Sequence, residues 1–82
     1  MAKFLVSYDL MKPGQNYNGL INRLQTLRAK KVLLSAWALS GNHTCVALRD
    51  DLRRFIDAND RLLVSTLNDW ASYNAMTDIN QI

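Results

Sequence analysis

Two stretches of this chain carry apolar side chains at helical spacing, and short apolar runs flank them. In the first stretch, Tyr17, Leu20, Ile21, Leu24 and Leu27 fall at i, i+3, i+4, i+7 and i+10, one stripe on a helix of about three turns. In the second, Cys45, Leu48, Leu52, Phe55 and Ile56 repeat the pattern and predict a helix over 43–58. Its outer face carries Arg49, Asp50, Arg53, Arg54 and Asp57, with Asp50 and Arg54 spaced as an i,i+4 pair. Residues 3–10, 31–40 and 61–67 are apolar runs carrying β-branched and aromatic residues, and they read as strands. Pro13-Gly14 is a turn signal, Asn16 a helix N-cap and Asn59 a helix end. The run 31–40 bends or bulges near Ser35-Ala36 and counts as one strand or two. The order β-α-β-β-α-β predicts an α+β, ferredoxin-like sandwich, with two helices on one face of an antiparallel sheet.

A strand sends alternate side chains to opposite faces. Phe4, Val6 and Tyr8 therefore oppose Leu5, Ser7 and Asp9, and Val32, Leu34 and Ala36 oppose Leu33, Ser35, Trp37 and Leu39. Both faces are largely apolar, yet two helices cover only one. A second subunit, the tail from Asn68, where Trp70, Tyr73, Met76 and Ile79 recur every three residues, or both must shield the other. The expectation is a homodimer, which a tail packed on its own sheet would weaken.

Composition narrows the class. With 82 residues the chain is expected to form a single domain spanning 1–82. Hydrophobic residues make up 49 % and charged residues 21 %, which excludes disorder. No stretch approaches the ~18 apolar residues of a membrane span, and Met1-Ala2-Lys3-Phe4 lacks a signal-peptide pattern; a cytoplasmic protein away from membranes is expected. One cysteine, Cys45, excludes an internal disulfide. The net charge of +3, with every acid an Asp, is compatible with a nucleic-acid partner and equally with a solvated basic surface.

Asp9 is the candidate for chemistry. It closes an apolar strand, where a carboxylate is costly unless paired, hydrated or metal-bound; the plainer role is capping its own loop amides. In a two-fold interface a residue near the axis meets its own copy. Two Asp9 carboxylates so placed repel unless a divalent cation lies between them, and Mg2+ takes one or two carboxylates while keeping waters for a phosphate. His43 reads as a turn or capping residue, Cys45 as a packed thiol, and Trp37 and Trp70 as core or interface aromatics. Arg49, Arg53 and Arg54, with Arg61, could touch phosphates, but Asp50, Asp51 and Asp57 interleave with them, which favours a neutralised solvated face.

Phe4-Leu5-Val6-Ser7-Tyr8-Asp9-Leu10 resembles the opening strand of the small CRISPR-associated Cas-two family, an apolar strand ending in Tyr-Asp. Val32-Leu33-Leu34-Ser35-Ala36-Trp37 is similar to that family's second strand. Ile56-Asp57-Ala58-Asn59-Asp60 before Arg61-Leu62-Leu63-Val64 is similar to its last helix and strand. Toxin-like proteins of the VapD type share the layout. The resemblance implies a ferredoxin-like homodimer with facing sheets, and Asp9 as the Mg2+-binding acid of a metal-dependent endonuclease acting on RNA or DNA. Ser35 would support catalysis beside Trp37, and Lys12, Arg28 and Lys31 are the candidate nucleic-acid contacts. Family members often open the first helix with Arg residues, where this chain reads Met11-Lys12-Pro13-Gly14-Gln15-Asn16, and the Gln before the Ser is replaced by Leu33-Leu34. These departures favour the alternatives: a non-catalytic dimeric nucleic-acid-binding or adaptor protein of the same fold, or a toxin-like ribonuclease.

Overall fold

A computed structural model describes residues 2–11 and 17–82. The turn at Pro13-Gly14, the cap at Asn16 and the candidate contact Lys12 lie outside the described residues. The chain runs β1 (Ala2–Asp9), α1 (Asn18–Thr26), β2 (Lys30–Leu33), β3 (Ala36–Gly41), α2 (Cys45–Leu52), a 3-10 turn (Arg53–Phe55), β4 (Arg61–Thr66) and a second 3-10 turn (Ile79–Gln81). The sheet order is β2-β3-β1-β4, and every neighbouring pair is antiparallel. Two helices and this strand order make the ferredoxin-like α+β sandwich that the residue pattern predicts.

The helix-facing side of the sheet holds the main core. Phe4, Val6 and Tyr8 of β1 and Trp37 and Leu39 of β3 pack against Leu20 and Leu24 of α1 and Leu48 and Leu52 of α2. Both predicted stripes face inward, with Ile21, Leu27, Cys45, Phe55 and Ile56 against the same cluster. Burying a large apolar side chain of this kind is worth about 1.5–3 kcal/mol, so the two stripes account for the seating of both helices. The second helix is shorter than its apolar spacing suggests. It starts at Cys45, where the Thr44 hydroxyl caps it by accepting from the Ala47 amide at 3.1 Å, and it tightens to a 3-10 turn after Leu52. Asp50 pairs with Arg49 rather than Arg54, whose partner is Asp51.

The run 31–40 is two strands. Leu34 and Ser35 form a two-residue turn between β2 and β3, and a register shift lies between Lys31 and Leu33. That shift changes which residues share a face. Leu33 pairs with Ala36, Ala36 with Ser7 and Ser7 with Leu63, so one row of side chains crosses all four strands away from the helices. Trp37 points the other way, into the helix-side core.

The tail covers half of the second face. Trp70, Ile79, Ile82 and Leu67 pack with Leu5, Val32, Ala36 and Ala38 in a second apolar cluster. The tail also protects the outer edge of β2: the Met76 amide donates to the Val32 carbonyl at 2.8 Å and the Thr77 hydroxyl to the Lys31 carbonyl at 3.0 Å. Lys3 Nζ donates to the Ile82 main-chain oxygen at 2.8 Å and lies 5.8 Å from the Trp70 ring. Tyr73 and Met76 stay exposed, so the three-residue recurrence is only half used. No described helix is long and apolar enough to cross a membrane.

Candidate functional site

Asp9 is the last residue of β1, and its neighbours follow from strand register. It pairs with Arg61, the first residue of β4, and directly opposed residues of an antiparallel pair point to the same side. Their side chains are 66 % and 71 % exposed, and an Arg61 guanidinium nitrogen stands 3.8 Å from an Asp9 carboxylate oxygen. That is an ion pair without a hydrogen bond. Ser7, Tyr8, Asp9, Arg61, Leu62 and Leu63 line an open depression of about 220 Å³ at this end of the sheet.

Ser35 comes to the same end by a main-chain contact. The Tyr8 amide donates to the Ser35 carbonyl at 3.1 Å, which fixes the β2–β3 turn beside the end of β1. Ser35 and Leu34 are exposed there. Trp37 does not join them. Its indole Nε1 donates to the Tyr8 hydroxyl at 3.0 Å inside the core, so it supports β1 from behind.

The basic candidates are scattered by the same register. Lys31 pairs with Trp37, which pairs with Val6, three residues short of Asp9 along β1 and two strands away. Arg28 precedes β2, whose first residue, Lys30, is level with Leu5, so Arg28 lies toward the far end of the sheet from Asp9. Arg28 sits at φ 63°, and the next amide, Ala29, reaches back to the Leu24 carbonyl at 3.0 Å. It closes α1 in the left-handed position usually given to glycine.

Asp60 was not among the candidates, yet it organises this end of the molecule. One carboxylate oxygen accepts from the Met11 amide at 2.7 Å and the Tyr17 hydroxyl at 3.1 Å. The other accepts from the Asp57 amide at 2.8 Å. One side chain thus ties the exit of β1, the entry of α1 and the turn before β4. The residue signal was the Asp57–Asp60 spacing of a loop cap; the partners 43 and 49 residues away had none.

Among the described residues no three His, Cys, Asp or Glu side chains converge as a metal site. One copy offers a single carboxylate at Asp9, and Mg2+ coordination needs one or two with water completing the shell. Two copies related by a two-fold axis near Asp9 fit that requirement. His43 packs edge-on against Phe4 with ring centroids 5.9 Å apart, a packing contact far along β1 from Asp9. No family model matches the chain.

Proposed function

We propose that the chain works as a homodimer of the Cas-two type and that the dimer is a metal-dependent endonuclease hydrolysing a phosphodiester of RNA or DNA. The observation that carries this reading is the position of Asp9. It projects from the end of a central strand onto the half of the sheet face that the tail leaves open, beside the row that ends in exposed Leu33 and Leu63. Burying exposed Leu33 and Leu63 against a second copy would remove apolar surface from water and bring the two Asp9 carboxylates toward a common axis. The two Asp9 carboxylates would hold Mg2+, which would supply charge stabilisation at a phosphoryl oxygen. Ser35 flanks the site, and Tyr8, held by Trp37, keeps the strand end in place.

The Asp9–Arg61 pair favours a second reading. A guanidinium beside the carboxylate compensates its charge within one chain, which suits a dimeric nucleic-acid-binding or adaptor protein that keeps the fold without cleavage. A toxin-like ribonuclease would share the first mechanism and differ in its target.

The deciding experiment incubates wild type and Asp9→Ala with labelled single-stranded RNA and double-stranded DNA, in magnesium, in manganese and in chelator. Sedimentation runs alongside. Cleavage that needs both metal and Asp9, by a dimer that Asp9→Ala leaves folded, is the expected result. Binding without cleavage, indifferent to Asp9→Ala, selects the second reading.

A further inference from the structure

We infer that Arg61 binds the phosphate of the nucleic acid at the Asp9 site. This rests on the proposed nucleic-acid function and adds to it a residue from the opposite end of the chain. The separation in sequence is large, but the last β1–β4 register pair brings Arg61 directly across from Asp9. Its side chain is 71 % exposed, and its guanidinium is 3.8 Å from the carboxylate, beyond hydrogen-bond distance. A pair this loose and this solvated leaves the planar donor set free to make bidentate bonds to phosphate oxygens.

Three further features separate Arg61 from the other arginines. It borders the depression shared with Ser7, Asp9 and Leu63, whereas Arg49, Arg53 and Arg54 belong to the α2 segment on the other side of the sheet. Arg23 and Arg54 are already engaged with Asp51, and Arg49 with Asp50. Finally, the residue just before Arg61 is anchored: the Asp60 carboxylate holds Met11, Tyr17 and Asp57. The start of β4 is therefore clamped on one side by that network and on the other by its pairing with β1. A cation on a clamped strand end is preorganised for an anion, whereas one on a free loop must be ordered on binding. Arg49, Arg53, Arg54 and Arg61 read alike in the amino-acid sequence; strand pairing sets Arg61 apart by placing it across from Asp9.

The experiment measures binding of single-stranded RNA and double-stranded DNA to wild type, Arg61→Gln, Arg61→Lys and Arg53→Gln over a series of salt concentrations. Cleavage is assayed in parallel. Arg53→Gln removes the same charge from the helix side and controls for bulk electrostatics. Arg61→Gln is expected to weaken binding about tenfold or more and to lower the log–log salt slope by about one per contact. Arg61→Lys is expected to retain the slope while recovering only part of the affinity, because an ammonium lacks the fork. Arg53→Gln should stay within about twofold of wild type, consistent with loss of a remote exposed charge.

Equal losses in Arg61→Gln and Arg53→Gln would overturn the assignment, as would wild-type affinity in Arg61→Gln beside normal cleavage. Binding lost in Arg61→Gln, from a wild type that binds without cleaving, would uphold the phosphate contact while the nuclease reading falls. A wild type that binds neither nucleic acid at low salt would remove both.

Discussion

The Trp37 indole nitrogen donates to the Tyr8 hydroxyl at 3.0 Å, joining β3 to β1 inside the helix-side core. Both residues are buried, at 5 % and 8 % exposure. A buried polar pair of this kind holds a strand end in one position because the alternative is an unsatisfied donor in an apolar layer. Tyr8 precedes Asp9, so the pair also fixes where the candidate carboxylate emerges.

Tyr8→Phe removes the acceptor and leaves the indole N–H buried. A loss of about 1–3 kcal/mol in urea unfolding is expected. Trp37→Phe should cost more, because a large aromatic in the core is also truncated. In a double-mutant cycle the two changes should couple by at least about 0.5 kcal/mol; strict additivity would show that the hydrogen bond contributes nothing.

Asp51 links α2 to α1 through Arg23, at 2.8 Å, and also pairs with Arg54 of the 3-10 turn that follows it. Burial raises its pKa, but the hydrogen bonds and charges of Arg54 and Arg23 outweigh that and leave it below the ordinary Asp value. A depressed carboxyl pKa stabilises the fold above the unfolded value of ~3.9, and the contribution disappears as pH falls through the lower folded value. Asp51→Asn should therefore be less stable than wild type at pH 7, by no more than about 1 kcal/mol given the solvated arginines. The two proteins should converge in thermal melts as pH falls below the folded value of Asp51. A gap that persists in acid would show that Asp51 acts through packing instead of charge.

Trp70 lies on the second face with Leu5 and Ile79, whereas Tyr73 is 89 % exposed. Trp70→Ala should lower stability by about 1–3 kcal/mol, less than a fully buried Trp, because the residue is only partly buried. It should also increase binding of a hydrophobic dye to the uncovered sheet. Tyr73→Ala should leave both measurements unchanged within about 0.5 kcal/mol. If Trp70→Ala changes neither, the tail does not hold the sheet in solution.

Gly41 ends β3 at φ 150°, and a Cβ there would lie 3.0 Å from the His43 Nε2. Gly41→Ala meets both a conformation that L residues rarely adopt and a steric conflict, so a cost of about 1–3 kcal/mol is expected. Adding His43→Ala should recover only the steric part, at the expense of the Phe4 contact. Full recovery would show that backbone conformation is not limiting.

The elements most legible in the amino-acid sequence were the helices. Tyr17 through Leu27 and Cys45 through Ile56 carried the stripes that pack on the sheet, because a helix repeats every 3.6 residues and local spacing alone reports which side is buried. The two-sided apolar character of β1 was equally plain, and it led to the expectation of a covered second face. The run 31–40 was ambiguous for a physical reason. Val32 and Ala38 are buried on one face while Trp37 and Leu39 are buried on the other, so alternation could not reveal where the strand folds back.

Local spacing was enough for the order of strands and helices, the inward faces of the helices, a bend near Ser35-Ala36 and Asp9 at a strand end. The remaining relationships came from pairing and packing across the sheet. The turn at Leu34-Ser35 and the bulge beside it select the row from Leu33 to Leu63. Antiparallel register sets Arg61 across from Asp9, and Asp60 gathers partners from two distant segments. The tail selects one half of the second face and leaves Asp9 on the other. The pairing of β1 with β4, the partners of Asp60 and the seat of the tail depend on burial shared among segments distant in the chain. Periodicity within one segment carries no record of it.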